Sequence, residues 1–274
     1  MSFTSRRLRN VGFAILVVVP TAILIGLQAF NVALYQEQFL SGWLLLGAIL
    51  LLVLYNVRKK ISMLPIGTAA NWLQLHIYLG LISIFLFLLH INWRIPDGWL
   101  EGLLAVFFIG VSLSGVIGLY LNRRLSKLLT RRGEEVIFER IPGFIAKLRN
   151  EAEALVLECA VNTSSSTISD HYGDHLAPFF SGPKNLIRHF RGSRRALFDL
   201  VKQTSNMDRY LNDKEREFAE KLRQLIEKKD ELDYQYSLQA ILKAWLFVHI
   251  PLTYGMIILA AIHLVLAYAF SGGL

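Results

Sequence analysis

Cysteine is almost missing from the chain: Cys159 stands alone among 274 residues. One thiol excludes a disulfide framework, a cysteine-ligated zinc or iron–sulfur site, and the Cys-x-x-Cys-His attachment of a covalent haem, while leaving noncovalent haem open. Charge is scarce as well. Asp, Glu, Lys and Arg make up 18% of the residues, against about 25% in a typical soluble domain, which argues against an ordinary globular enzyme. There is no strand-like alternation, no Gly-x-Gly-x-x-Gly turn after a strand and no Walker phosphate loop, so the sequence encodes neither a flavin nor a nucleotide domain.

What is abundant is apolar surface, and it is clumped. Hydrophobic residues supply 54% of the chain and the mean hydropathy is +0.42. They concentrate in residues 11–121 and after about 239, whereas residues 122–238 hold 21 of the 29 Lys and Arg and 18 of the 21 Asp and Glu. A span needs roughly 20 mostly apolar residues, and five stretches qualify: about 11–31, 39–56, 69–92, 99–121 and 240–270. The basic N-terminus MSFTSRRLRN resembles the start of a signal peptide, but the apolar run behind it is long enough to span and has no small-residue cleavage site, so it reads as the first transmembrane helix.

Lys and Arg in the short flanks set the orientation. Arg6, Arg7 and Arg9 precede the first span, Arg58, Lys59 and Lys60 follow the second, and Arg123, Arg124, Lys127, Arg131 and Arg132 follow the fourth. The opposite loops hold Glu37, then Arg94, Asp97 and Glu101. The expected architecture is all-α: a bundle of about five transmembrane helices, N-terminus cytoplasmic and C-terminus outside, in a bacterial-type inner membrane. Residues 1–121 carry helices 1–4, residues 122–238 form a mainly helical cytoplasmic insertion, and residues 239–274 carry helix 5. The insertion's charge of +3, from its 21 bases and 18 acids, is too balanced to point to nucleic acid.

Within the insertion, Leu148, Ala152, Leu155 and Cys159 recur at helical spacing, as do Phe218, Leu222, Leu225 and Leu232 behind the cap-like Asn212-Asp213. No Pro or Gly intervenes before Pro251, so this last helix is expected to run straight into the final span. Between the two lies VNTSSSTISDHYGDHLAPFFSGP, whose Ser, Gly and Pro content reads as a loop. Asp170, His171, Asp174 and His175 would share a helical face suited to a metal, but that composition favours solvated loop.

Four of the seven histidines fall inside spans: His76 and His90 on the third, His249 and His263 on the fifth. Each pair is separated by 14 residues, which is about four helical turns and about 21 Å of rise, so both members face nearly the same way with one toward each membrane face. The two helices run in the same direction in this topology. His76 then meets His249 near the cytoplasmic side and His90 meets His263 near the outer side. Two facing imidazoles at one depth make an axial ligand pair for a haem iron, and the pattern supplies two such pairs. A single intramembrane histidine often does no more than bond a neighbouring helix; two identical spacings on parallel helices are harder to reach by chance. Gly80 and Gly255 lie between the histidines of each helix, where a missing side chain either admits a flat macrocycle or serves ordinary helix packing. Ser112, Ser114, Gly115 and Gly118 read as a packing face. Arg94, the one base on the outer side, is a candidate propionate partner or docking contact, and Trp93 and Trp99 are interfacial aromatics.

LHIYLGLISIFLFLLH and VHIPLTYGMIILAAIH resemble the His-bearing third and fifth helices of the dihaem b-type membrane cytochromes, a superfamily that takes in the ferric-reductase-like transmembrane domains, the NADPH oxidases and the cytochrome b of quinol oxidoreductases. The likeness covers roughly residues 67–125 and 240–270. It implies two noncovalent b haems, one on His76 and His249 and one on His90 and His263. Reductases of that type carry a flavin and nicotinamide domain after a sixth helix; here the sequence ends after the fifth, and the enlarged loop before it has no counterpart. The expectation is an electron-transfer subunit of an oxidoreductase complex, set in membrane lipid and linking a quinol or cytoplasmic donor to an outer-side redox protein such as a cytochrome. A self-sufficient quinol-dependent ferric or small-molecule reductase and a non-redox membrane anchor are the alternatives.

Overall fold

The computed structural model describes residues 14–26, 37–60, 68–129 and 136–270. Among these every regular element is helical and there is no strand. The long elements are α1 (Ala14–Gly26), α2 (Glu37–Lys60), α3 (Ala69–His90), α4 (Trp99–Leu129) and α5 (Ile141–Thr163). Four short helices follow, α6 (Thr167–His171), α7 (Ala177–Phe180), α8 (Leu186–Phe190) and α9 (Arg195–Asn206), and then α10 (Asp213–Phe270). Four helices, α2, α3, α4 and α10, are long and apolar enough to cross a membrane. The expected first span lies partly outside the described residues; within them α1 is a shorter apolar helix.

The described residues group into two compact units, one taking in the chain up to Leu119 together with Phe247 onward, the other Tyr120–Leu246. The first has a core of Leu45, Ala48 and Ile49 from α2, Ile82, Leu86 and Phe87 from α3, Ala105 and Phe108 from α4, and Met256 from α10. Phe87 and Phe108 stack there with ring centres 4.3 Å apart. Its outward side chains are also apolar: Leu75, Val106, Leu113, Ile258 and Val265 are all more than half exposed. A large exposed apolar surface on both sides of a thin core is what lipid, not water, solvates, so this is a membrane protein.

Local signals fix the ends of α3. Thr68 caps its start, its side-chain oxygen accepting the Asn71 N–H at 3.3 Å. At the other end Asn92 donates to Leu89 O and Trp93 to Leu88 O, the paired bonds of a Schellman stop. Asn92 takes the left-handed conformation (φ 50°) that such a stop requires, and asparagine is among the few side chains that adopt it readily. The chain therefore turns immediately after His90.

In the second unit α5 and the first part of α10 pack around Ala152, Val156, Cys159, Leu222 and Ile226. Asn212 and Glu215 form a reciprocal capping box at the start of α10: the Asn212 Oδ1 accepts from the Glu215 N–H at 2.9 Å, and the Glu215 carboxylate accepts from the Asn212 N–H at 2.8 Å. A hydrogen bond from Ser165, and then the one from the Asn212 N–H, hold the Glu215 carboxyl below its ordinary range. From this box α10 runs unbroken through Pro251.

The stretch expected to be a loop, 161–183, is not one. It folds as α6, a π-helical turn (Tyr172–Leu176) and α7. Ile168, Tyr172, Leu176, Phe179 and Phe180, spaced by three or four residues, fill the core of the unit, a helical stripe that the Ser, Gly and Pro content masks. His171 is buried there with its Nε2 3.3 Å from the Thr204 hydroxyl, and burial pushes its pKa down. Although the His171 and His175 rings approach to 5.1 Å, no group of three or more His, Cys, Asp or Glu gathers among the described residues.

Candidate functional site

The four intramembrane histidines belong to the first unit, and the structure sorts them into two layers. In one layer the His90 and His263 rings meet edge to face, with centres 6.2 Å apart and planes nearly perpendicular, at 84°. In the other, His76 and His249 lie within electrostatic range of each other. All four are half-buried.

Three of the rings are hydrogen-bonded through Nδ1, and the fourth, His263, has its Nδ1 toward a carboxylate. His76 Nδ1 lies 3.2 Å from the Leu52 carbonyl oxygen and His90 Nδ1 lies 3.1 Å from that of Gln38. A carbonyl only accepts, so in both rings Nδ1 carries the proton and donates it, and in the neutral imidazole Nε2 keeps its lone pair. Ser41 Oγ adds a second contact to His90 Nδ1 at 3.4 Å. His249 Nδ1 is 3.2 Å from Ser114 Oγ, and His263 Nδ1 is 3.7 Å from the Glu101 carboxylate. This is the arrangement by which metal-ligating histidines are oriented, with one nitrogen held by a carbonyl, hydroxyl or carboxylate and the other presented to a metal.

The partners repeat the spacing of the histidines. Gln38 and Leu52 on α2, His76 and His90 on α3, and His249 and His263 on α10 are each 14 residues apart, and Glu101 and Ser114 on α4 are 13 apart. Four helices thus contribute to two polar layers separated by about 21 Å. The contacts also fix directions: α3 and α10 are parallel to each other, and α2 and α4 run against them. Sequence reasoning misses the outer partners of the rings. Ser114 reads as packing and Glu101 as a loop charge, while the two backbone carbonyls have no side chain to mark them.

The layer of His90 and His263 borders a cavity of about 420 Å³, within the range of small-molecule and cofactor sites. Leu45, Phe108 and Met256 line its apolar wall, and Arg94, Asp97 and Glu101 supply charge. Gly42 keeps the approach to His90 narrow, since a Cβ placed on it would meet His90 Cε1 at 3.0 Å. Trp43 donates to the Tyr268 hydroxyl at 2.9 Å beside the same cavity.

The two glycines differ. A Cβ on Gly80 would meet nothing within 4 Å, so the backbone there lies open, whereas one on Gly255 would meet Phe107 Cε1 at 2.5 Å. Gly255 is thus a packing glycine filled by the Phe107 ring, and Gly80 alone of the two leaves a free approach.

The donor set suits a haem: two imidazoles with ring centres 6.2 Å apart border an apolar cavity, and a haem iron would take its protein ligands from two such nitrogens. Comparisons of the chain with protein-family models, with curated proteins and with solved structures return no match.

Proposed function

We propose that this chain is an electron-transfer subunit that holds two noncovalent b-type haems in the membrane, one between His76 and His249 and one between His90 and His263. The observation that carries the reading is the double layer: two histidine pairs on parallel helices, with three of the four rings hydrogen-bonded through Nδ1. Haem supplies a one-electron carrier whose potential the protein sets through axial ligands, their hydrogen bonds and burial. His76 with His249 and His90 with His263 would each hold one haem, and the chemistry the haems would supply is one-electron relay. Leu52, Gln38, Ser114 and Glu101 fix the ring orientations, and the apolar walls keep water away. Arg94, at the edge of the outer cavity, is suited to pair with a propionate.

The same reading includes α1 as part of a fifth span, a cytoplasmic position for the polar insertion, the N-terminus inside and the C-terminus outside, in a bacterial-type inner membrane. A quinol or a cytoplasmic protein would then exchange electrons at one layer and an outer-side redox protein at the other. Purified chain in liposomes loaded with ferricyanide and exposed to an impermeant external reductant tests the function. The expected result is reduction of the trapped ferricyanide that requires the protein; a rate equal to that of protein-free liposomes would exclude transmembrane relay.

Two substitutions probe the layers separately. Gly42→Val places a branched side chain where even a Cβ is tight against His90, and it should deplete the outer haem while sparing the inner one, as read by haem per chain. With Nε2 on a metal, His249 Nδ1 donates to Ser114 Oγ, which enriches the ligand in electron density. Ser114→Ala removes that hydrogen bond, which favours the oxidised metal, and should raise one midpoint potential while leaving the other in place, as measured by spectroelectrochemical titration.

A further inference from the structure

We propose that Lys184–Phe198, in the second unit, is a membrane-contact patch that binds anionic phospholipid headgroups through its bases and sets Ile187 and Phe198 into the interfacial layer. Lys184, Arg188, Arg191, Arg194 and Arg195 are five exposed bases within 12 consecutive residues, and no Asp or Glu occurs between Asp174 and Asp199. Several bases elsewhere in the unit find carboxylates: Arg149 pairs with Glu153, Lys221 with Glu217, Arg223 with Asp208, and Lys243 with Glu139. Among the described residues none of the five forms an ion pair. Interleaved with them, Ile187 is 69% exposed and Phe198 64% exposed. A basic segment with exposed aliphatic and aromatic side chains suits an anionic bilayer surface, which takes both charge and apolar atoms; a water-soluble polyanion gains nothing from the latter.

The segment is firmly placed. Ser237 Oγ donates to the Leu186 carbonyl at 2.5 Å, and the buried His189 lies 3.6 Å from Asp230. Phe190 packs with Leu121, Leu125 and Leu129 of α4 and Tyr234 and Leu238 of α10, and Arg124 lies over its ring at 5.2 Å. Those positions are where both helices change from apolar to polar sequence, which is where a spanning helix leaves the bilayer.

The test uses the full chain in nanodiscs of phosphatidylglycerol with phosphatidylcholine, or of phosphatidylcholine alone, with hydrogen exchange read over residues 184–199. The expected result is exchange at least about fivefold slower in the anionic discs, a difference that fades at high salt. Arg188→Gln, Arg191→Gln, Arg194→Gln and Arg195→Gln together should abolish that difference. Exchange equal in the two lipids would overturn the proposal, as would equal protection by heparin in phosphatidylcholine discs, which would point to a soluble acidic partner. Phe198→Trp provides a second readout, independent of any effect of the arginine changes on folding. Brominated phosphatidylglycerol should quench its fluorescence by more than that of the unsubstituted chain, whose five tryptophans set the baseline, and quenching equal to that baseline would contradict insertion.

Discussion

His90→Ala should halve the haem content of the purified chain, and His263→Ala should remove the same haem. The two rings are 6.2 Å apart and would share one metal, so losing either leaves a single axial ligand in a cavity shaped for two. His76→Ala and His249→Ala should remove the other haem and spare the first. Reduced-minus-oxidised spectra of the four variants, each quantified per chain, check the pairing. The effect is large because axial coordination is the main bond between protein and noncovalent haem. If His76→Ala and His263→Ala depleted the same haem, α3 and α10 would have to be antiparallel, against the approach of His90 to His263.

Lys229→Met should destabilise the second unit by about 3–5 kcal/mol, the usual consequence of leaving one member of a buried ion pair alone. Lys229 and Asp233 are fully buried, with Nζ 2.5 Å from the carboxylate. The ammonium also donates to the Gly182 carbonyl at 2.8 Å and sits 4.0 Å from the centre of the Phe179 ring, so it ties the end of the α7 segment to α10. Burial raises the Asp233 carboxyl to about 6 despite the ammonium beside it, and the same burial lowers Lys229. The folded pKa of Asp233 is above its ordinary value near 3.8, so its contribution is fully present below that value and is lost as pH rises through about 6. The Lys229→Met defect should therefore be smaller at pH 5 than at pH 8. Lys229→Met with Asp233→Leu should recover part of the loss, since replacing both partners strands no charge. Thermal unfolding at the two pH values, followed by hydrogen exchange in residues 177–240, reads both effects.

The parts of this molecule that are legible in its sequence are those where side-chain chemistry conflicts with its surroundings. An imidazole inside an apolar helix is such a conflict, and four of them at equal spacing mark two layers before any coordinates exist. The continuity of α10 is legible for a complementary reason: over 213–250 nothing breaks the helical pattern, and Pro251 falls where the helix is already established. The stretch 161–183 misleads because Ser, Gly and Pro frequencies say nothing about phase. The apolar residues from Ile168 to Phe180 keep a helical stripe through the π-helical turn, and tertiary burial outweighs the local turn preference. Ser114 illustrates a different limit. A serine among glycines on a spanning helix is a normal packing residue, and its role beside His249 depends on the rotation of α4 against α10, which no single-helix pattern encodes. Leu52 and Gln38 act through backbone carbonyls and leave no trace in residue identity.

The central claim is tested most directly by quantifying noncovalent haem in the full chain purified from a membrane fraction, as pyridine haemochrome per mole of protein. The account predicts two b-type haems per chain, with both reduced and oxidised spectra of six-coordinate iron. Chain that is folded and helical yet carries no haem when produced with haem in excess would contradict it, and the four histidines would then serve only to hold the bundle together.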